Sequence, residues 1–382
     1  MEKGKMINKK YRVTAQILTP LHIGVGAEKD WVEGVDFIVK DGYMHHLNIN
    51  KMYEAGVDMN KVTAAFTTGR LSDIPTIIGN KLNVCSDFQM PMPCLSTNPI
   101  KVFLRNQLTG KPIIAGSSLK GAIRSILFKY LRNKGETSNN AVFGDSDKGT
   151  DFMRFIRIGD FEFCNTELVN TKIFNLESNS GHWQGGWKHK GGKIGETNAE
   201  FHETGFNTIY ECLPVGSKSD GSISIANVTF DKAKSIINVA DNPNKSKIIN
   251  NNITFLCDII NKHTKQYLIK ELDFFKRFQQ AENSDFIYAD EDDFSGGIVL
   301  LQGEFTDLKP NECILKMSAG SGFHVITGDW QFDNYTHGTF DRKNNKGEHV
   351  LPKSRKIAIT YDGDDMYLDL MGFIKLTFEE VE

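Results

Sequence analysis

From Tyr11 to Leu18 apolar and polar residues alternate, with Tyr11, Val13, Ala15 and Ile17 set against Arg12, Thr14 and Gln16. That is the period of a half-buried strand. Next, VDFIVK and YMHHL flank Asp41-Gly42, which reads as a hairpin closed by a type I′ turn. The far end repeats the grammar: KIAITY and DMYLDL flank Asp362-Gly363-Asp364, and the strand-like GFIKLTF follows. Two β-rich ends with a hairpin each point to two related halves.

Between the ends the period changes. Apolar residues fall at Leu119, Ala122, Ile123, Ile126, Leu127, Tyr130 and Leu131, a spacing that only a helix uses. A second helical stretch from about 245 to 280 carries Phe255, Leu256, Ile259, Ile260, His263, Tyr267, Leu272 and Phe275, and reads as an insertion of one or two helices. Strands are expected at 155–158, 222–225, 298–302 and 313–317. Helices mixed with antiparallel hairpins predict an α+β fold. The polar, glycine-dotted stretches 134–150 and 178–196 are expected to be mobile.

Composition narrows the class. With 382 residues, 40% hydrophobic and 24% charged, the chain has a globular balance, and wholesale disorder is excluded. No apolar run approaches the ~18–20 residues of a membrane span, and the basic start lacks the apolar stretch of a signal peptide. Six scattered cysteines form no CxxC pair and no metal-ligand spacing, a usage that fits reduced thiols and a cytoplasmic setting.

Net charge is −3, which alone points to no nucleic-acid partner. Its distribution does. From Lys101 to Lys134 there are eight basic residues and no acid, so the remainder carries −11. A second basic stretch, Arg342 to Lys356, holds six cations and one glutamate, while Glu282 to Asp293 holds six acids and no base. Segregated charge is the electrostatic footprint of a charged partner.

The densest chemistry lies in KPIIAGSSLKGAIRSILFKYL. A short apolar strand, Ile113-Ile114-Ala115, meets Gly116, and Ser117-Ser118 stand where a helix N-cap is expected. Lys120 and Arg124 follow within two turns. Cations there oppose the helix dipole by ~0.3–1 kcal/mol each, so a sequence that accepts them implies a bound anion; the plain alternative is a solvated basic face. His22, in LTPLHIGVG, is a candidate acid/base or RNA contact, or else a packed histidine at a strand end. The glycine-rich turn at 319–323 fails the dinucleotide pattern, as does Gly24-x-Gly26, and its glycines are read as points of close backbone approach. Asp145, Asp147 and Asp151 lack the spacing of a calcium loop and are read as a solvated loop. Trp183 and Trp187, between His182 and His189, are candidates for base stacking. No Walker A, HExxH or GxSxG segment is present, and no metal or cofactor is implied.

Taken together, LTPLHIGVG and KPIIAGSSLKGAIRSIL resemble the RAMP superfamily of CRISPR-associated RNA-binding proteins, whose motifs read roughly TPLHIGxG and PxIPGSSLKGxxR. Val142–Gly144, RIGDFEF and YECLPVGS agree with it. Ala115 replaces the proline that family members usually carry before the glycine. Within the superfamily, the length, the long insertion between the first two motifs and the C-terminal MGFIKLTF resemble the subunit that caps the crRNA 3′ end in the type III-A (Csm) effector complex. The resemblance implies two ferredoxin-like (RRM-like) modules with glycine-rich loops, 1–229 with insertions and 230–382 after a helical insertion. It implies crRNA binding, a role in crRNA maturation and antiviral defence, assembly beside other RAMP subunits, recruitment of host nucleases, and no catalytic residue of its own. Carried over by position, the RNA contacts are His22, Gly24, Gly116, Ser117, Ser118, Lys120, Gly121 and Arg124. Trp183, Trp187, Gly320, Gly322, Lys353 and Arg355 join them as candidates. Three rivals remain: a backbone subunit cleaving RNA with an acid such as Glu54 or Asp58, a metal-independent endoribonuclease using His22 beside a second basic group, and an adaptor that binds protein alone.

Overall fold

The structure, a computed structural model, describes residues 8–94, 99–133, 136, 138–179, 182–187, 207–233, 242–279, 291–317, 354–363 and 365–381. Gly320, Gly322 and Lys353 lie outside the described residues, as does most of the second basic stretch.

The alternating N-terminal segment is a strand, Lys9–Ile17, with Tyr11, Val13, Ala15 and Ile17 buried. It lies at the centre of a five-stranded antiparallel sheet in the order Glu312–Lys316, Phe373–Val381, Lys9–Ile17, Lys218–Ile225, Ile156–Ile158. The two β-rich ends are therefore neighbours: Val13 pairs with Phe378 and Ile17 with Ile374. One face of this sheet is covered by the helix Gly116–Leu131, which buries Leu119, Ile123, Ile126, Leu127 and Leu131, and by the first half of the long helix Ile253–Gln279. The other face presents Arg12, Thr14, Asp220 and Arg157.

A second antiparallel sheet runs Thr208–Cys212, Glu167–Asn179, Ser354–Asp362, Asp365–Leu370. Both large sheets thus draw strands from either side of the 229/230 position. The predicted C-terminal hairpin is the last pair of this sheet. His182–Trp187 folds back on Glu167–Asn179, with Trp187 opposite Phe174 and Trp183 opposite Ser178. Part of the stretch expected to be mobile is therefore a paired strand, because backbone pairing needs little from the glycine side.

The N-terminal hairpin forms as predicted from Phe37–Lys40 and Tyr43–Leu47, with Asp41 and Gly42 both at positive φ. A third strand, Ser86–Pro91, joins it after four short helices between 49 and 85 that periodicity does not announce. Asp58, a rival's candidate acid, caps one of these helices by accepting the Asn60 and Lys61 N–H groups; Glu54 ends another.

The strand expected at 298–302 is instead part of a helix, Glu291–Gly303. A short apolar run has no period of its own, and tertiary packing decides it. Here a Cβ on Gly297 would stand 3.1 Å from the Leu368 carbonyl oxygen, so that glycine lets the helix settle onto the hairpin. Among the described residues no helix is long and apolar enough to cross a membrane.

Candidate nucleic-acid interface

Gly116 opens its helix for a steric reason: a Cβ there would stand 2.2 Å from the Ile158 carbonyl oxygen. The N-cap is Ala115, whose carbonyl accepts from Ser118 and Leu119 N–H. The serines therefore occupy the first turn rather than the cap. The Gly116 N–H donates to Asp160 Oδ1 at 2.7 Å, so part of the helix terminus is already served by a carboxylate. Ser117 is exposed and Ser118 half-buried, and neither hydroxyl is hydrogen-bonded among the described residues.

One turn on, Lys120 is half-buried and makes no ion pair among the described residues. Partial burial holds its ammonium below the usual lysine range; Arg124 and Arg157 push the same way, against the pull of Asp151. Arg124 is engaged: its Nη1 lies 2.8 Å from Asp151 Oδ2, and its guanidinium sits 4.2 Å from the centre of the Phe143 ring. Asp151, read from sequence as a solvated residue, also caps the turn at Met153 with its other oxygen. Gly121 lies one turn beyond Ser117, and nothing stands within 4 Å of where its Cβ would be. Packing does not require that glycine, and it leaves the Ser117–Lys120 surface open.

Arg157 is the residue that the sequence reading missed. It points outward from the strand Ile156–Ile158 between two inward isoleucines, a period-two signal in RIGDF that marks it as solvent-facing. Lys120 thus feels two further cations, Arg124 and Arg157, and one carboxylate, Asp151, beside two serine hydroxyls that are unbonded among the described residues, an arrangement that attracts a phosphate.

Other candidates are placed elsewhere. His22 is 2% exposed. Its Nδ1–H donates to the Glu211 carbonyl at 2.7 Å, and its ring packs edge-on against Tyr210. Burial lowers its pKa to about 4, so it is a neutral packed histidine and not a surface contact. Gly24 is exposed above it; a Cβ there would stand 3.1 Å from His22 Nε2. Arg355 is also interior, with its Nε 2.6 Å from Glu271 Oε2 and both side chains fully enclosed. It holds the second sheet to the long helix and is not available to RNA. Trp183 and Trp187 lie on the hairpin already described.

The acid-free window is less basic in space than in sequence. Lys101 pairs with Asp30, Arg105 with Glu211, Lys111 with Glu162 and Arg124 with Asp151, each acid arriving from another part of the chain. Among the described residues no group of three or more His, Cys, Asp or Glu side chains is placed to hold a metal ion.

A helix laid across one face of an antiparallel sheet, opened by a glycine–serine turn beside cationic side chains, is an arrangement that comparison with known families places. The RAMP superfamily model matches residues 14–292, and the chain belongs to that superfamily. Its fold is similar to a chain in the cryo-EM structure of a Csm–crRNA–target RNA ternary complex of a type III-A CRISPR-Cas system. That match has a TM-score of 0.62 at 16% identity and covers 98% of this chain and 100% of the other. It is also similar to the crystal structure of Csm5 from T. onnurineus, with a TM-score of 0.53 at 14% identity over 94% and 99% of the two chains. No curated protein matches the sequence.

Proposed function

We propose that the chain is an RNA-binding subunit of a type III-A CRISPR effector complex. In this reading it caps the 3′ end of the crRNA, supports crRNA maturation beside neighbouring RAMP subunits and host nucleases, and cuts no RNA itself. The observation that carries the reading is the open turn at Ser117, Ser118 and Gly121, with Lys120 on it and Arg157 within electrostatic reach of Lys120. The full-length likeness to two Csm chains supports the setting. The burial of His22 speaks for binding over acid/base chemistry.

The ferredoxin-like reading of the first module draws support from strand order. Lys9–Ile17, then the helix Gly116–Leu131, then Ile156–Ile158 and Lys218–Ile225 follow one another in the chain. In the sheet they lie with Lys218–Ile225 between the first two strands. A second module centred on 230–382 would share its sheets with the first.

The test is to isolate the tagged chain from its native cells and sequence the RNA that accompanies it. Short repeat–spacer RNAs with the chain at their 3′ ends are the expected result. Protein partners without RNA would overturn the reading in favour of an adaptor.

A further inference from the structure

Strand Ser354–Asp362 turns Arg355 inward and Lys356 to the opposite face. Lys356 is half-buried, and its Nζ donates to the Tyr210 hydroxyl and lies 4.4 Å from the centre of that ring. Among the described residues no carboxylate stands within 4.0 Å of it. The nearby acids are committed. Asp30 holds Lys101, while Glu211 accepts from Arg105, from Thr166 Oγ1 at 2.6 Å and from the Phe103 N–H at 2.8 Å. His22, packed edge-on against Tyr210 at 4.7 Å between ring centres, is neutral.

An ammonium has three donors, and Tyr210 takes one. Because the phenol oxygen accepts, its own hydrogen remains to be donated. A partly desolvated cation without a counter-ion among the described residues is costly, and Lys101, itself paired with Asp30, adds repulsion. Burial first, and Lys101 second, bring the Lys356 pKa down to about 8.

We propose that Lys356 and the Tyr210 hydroxyl form a second anion subsite, beside the exposed Gly24 turn, that takes a phosphodiester of the bound RNA. This rests on the RNA reading above. Both subsites lie on one strip of paired backbone: Lys101 bridges to Tyr210, Gly24 to Phe103 and Arg105 to Pro112, and Ile113–Ile114 then leads into the glycine–serine turn.

The experiment measures binding of the full chain to a short single-stranded RNA against salt concentration. Lys356→Gln is expected to weaken binding about tenfold and lower the salt slope by about 0.7, while Lys356→Arg keeps the slope. The Gln variant should melt no lower than the parent, because it removes a charge that no described residue compensates, so lost binding is not lost folding. Should it fail to fold, Tyr210→Phe gives the second reading, with a smaller loss of affinity expected. Binding by the parent should also weaken from pH 7 to 9, and binding by the Arg variant should weaken less.

An unchanged slope in Lys356→Gln, with a reduced slope in Lys120→Ala, overturns the subsite and leaves the RNA reading standing. Absence of salt-dependent binding by the parent overturns both. If inorganic phosphate raises the melting temperature through Lys356 while RNA binding ignores the variant, the site takes small anions and the phosphodiester proposal fails.

Discussion

Arg124 Nη1 and Asp151 Oδ2 stand 2.8 Å apart, so the most basic helix of the chain faces its candidate ligand with one of its two leading cations already neutralised. The pair is only partly enclosed and contributes modestly to stability. Its larger effect is on the field at Ser117 and Lys120. Asp151→Asn keeps an acceptor for the Met153 N–H and removes the charge. It should raise RNA affinity several-fold at low salt and lower stability by about 1 kcal/mol. Anisotropy titrations beside thermal melts check both, and unchanged affinity would remove Asp151 from the electrostatics of the site.

Gly121 sits inside a helix with open space at its Cβ position. Alanine should therefore stabilise the free protein by about 0.5–1 kcal/mol. At the same position a methyl group stands beside the Ser117–Lys120 surface, and RNA binding should weaken. Greater stability with undiminished affinity would place the ligand off this face.

Asn261 serves as a strand neighbour for the sheet edge at Glu312–Lys316. Its Oδ1 accepts from the Ile314 N–H at 2.9 Å and its Nδ2 donates to the Glu312 carbonyl at 3.0 Å; Thr264 Oγ1 then donates to the Ile314 carbonyl at 2.7 Å. Asn261→Leu leaves an amide and a carbonyl unpaired, a loss of about 2–3 kcal/mol read by urea unfolding. A loss within experimental scatter would show that water replaces the amide.

The neutral state of His22 makes stability depend on acid. Its folded pKa of about 4 lies below the unfolded value, so between pH 6.5 and 4 the unfolded chain takes up a proton that the folded chain refuses. Stability from this group is therefore full above pH 6.5 and falls as pH drops toward 4, by roughly 3 kcal/mol. His22→Phe, though less stable at neutral pH for want of a donor to Glu211, should show a flatter decline over that range. Parallel profiles would assign the acid sensitivity to other groups.

What was legible in the sequence was local. The alternation at Tyr11–Ile17, the Asp41-Gly42 hairpin and the helical spacing from Leu119 all carry their own period, and the structure contains each of them. The pairing of Val13 with Phe378 was not legible, since it depends on contacts between opposite ends of the chain. The same limit applies to charge. Lys101, Arg105 and Arg124 lie in an acid-free window, yet Asp30, Glu211 and Asp151 reach them through the fold. Arg355 shows it most sharply: it belongs to a basic stretch and is interior because Glu271 of the long helix is opposite. Arg157 was accessible to the same period-two reasoning that finds strands, had it been applied to the single exposed residue of IRI.

The central claim is that Lys120 and Arg157 hold RNA phosphates at the glycine–serine turn. The salt dependence of single-stranded RNA binding, measured for the full chain and for Lys120→Ala with Arg157→Ala, tests it most directly. Two lost phosphate contacts predict a slope lower by about 1.4 with folding unchanged. A slope equal to that of the parent would contradict the claim and leave the turn as a packing feature of the superfamily scaffold.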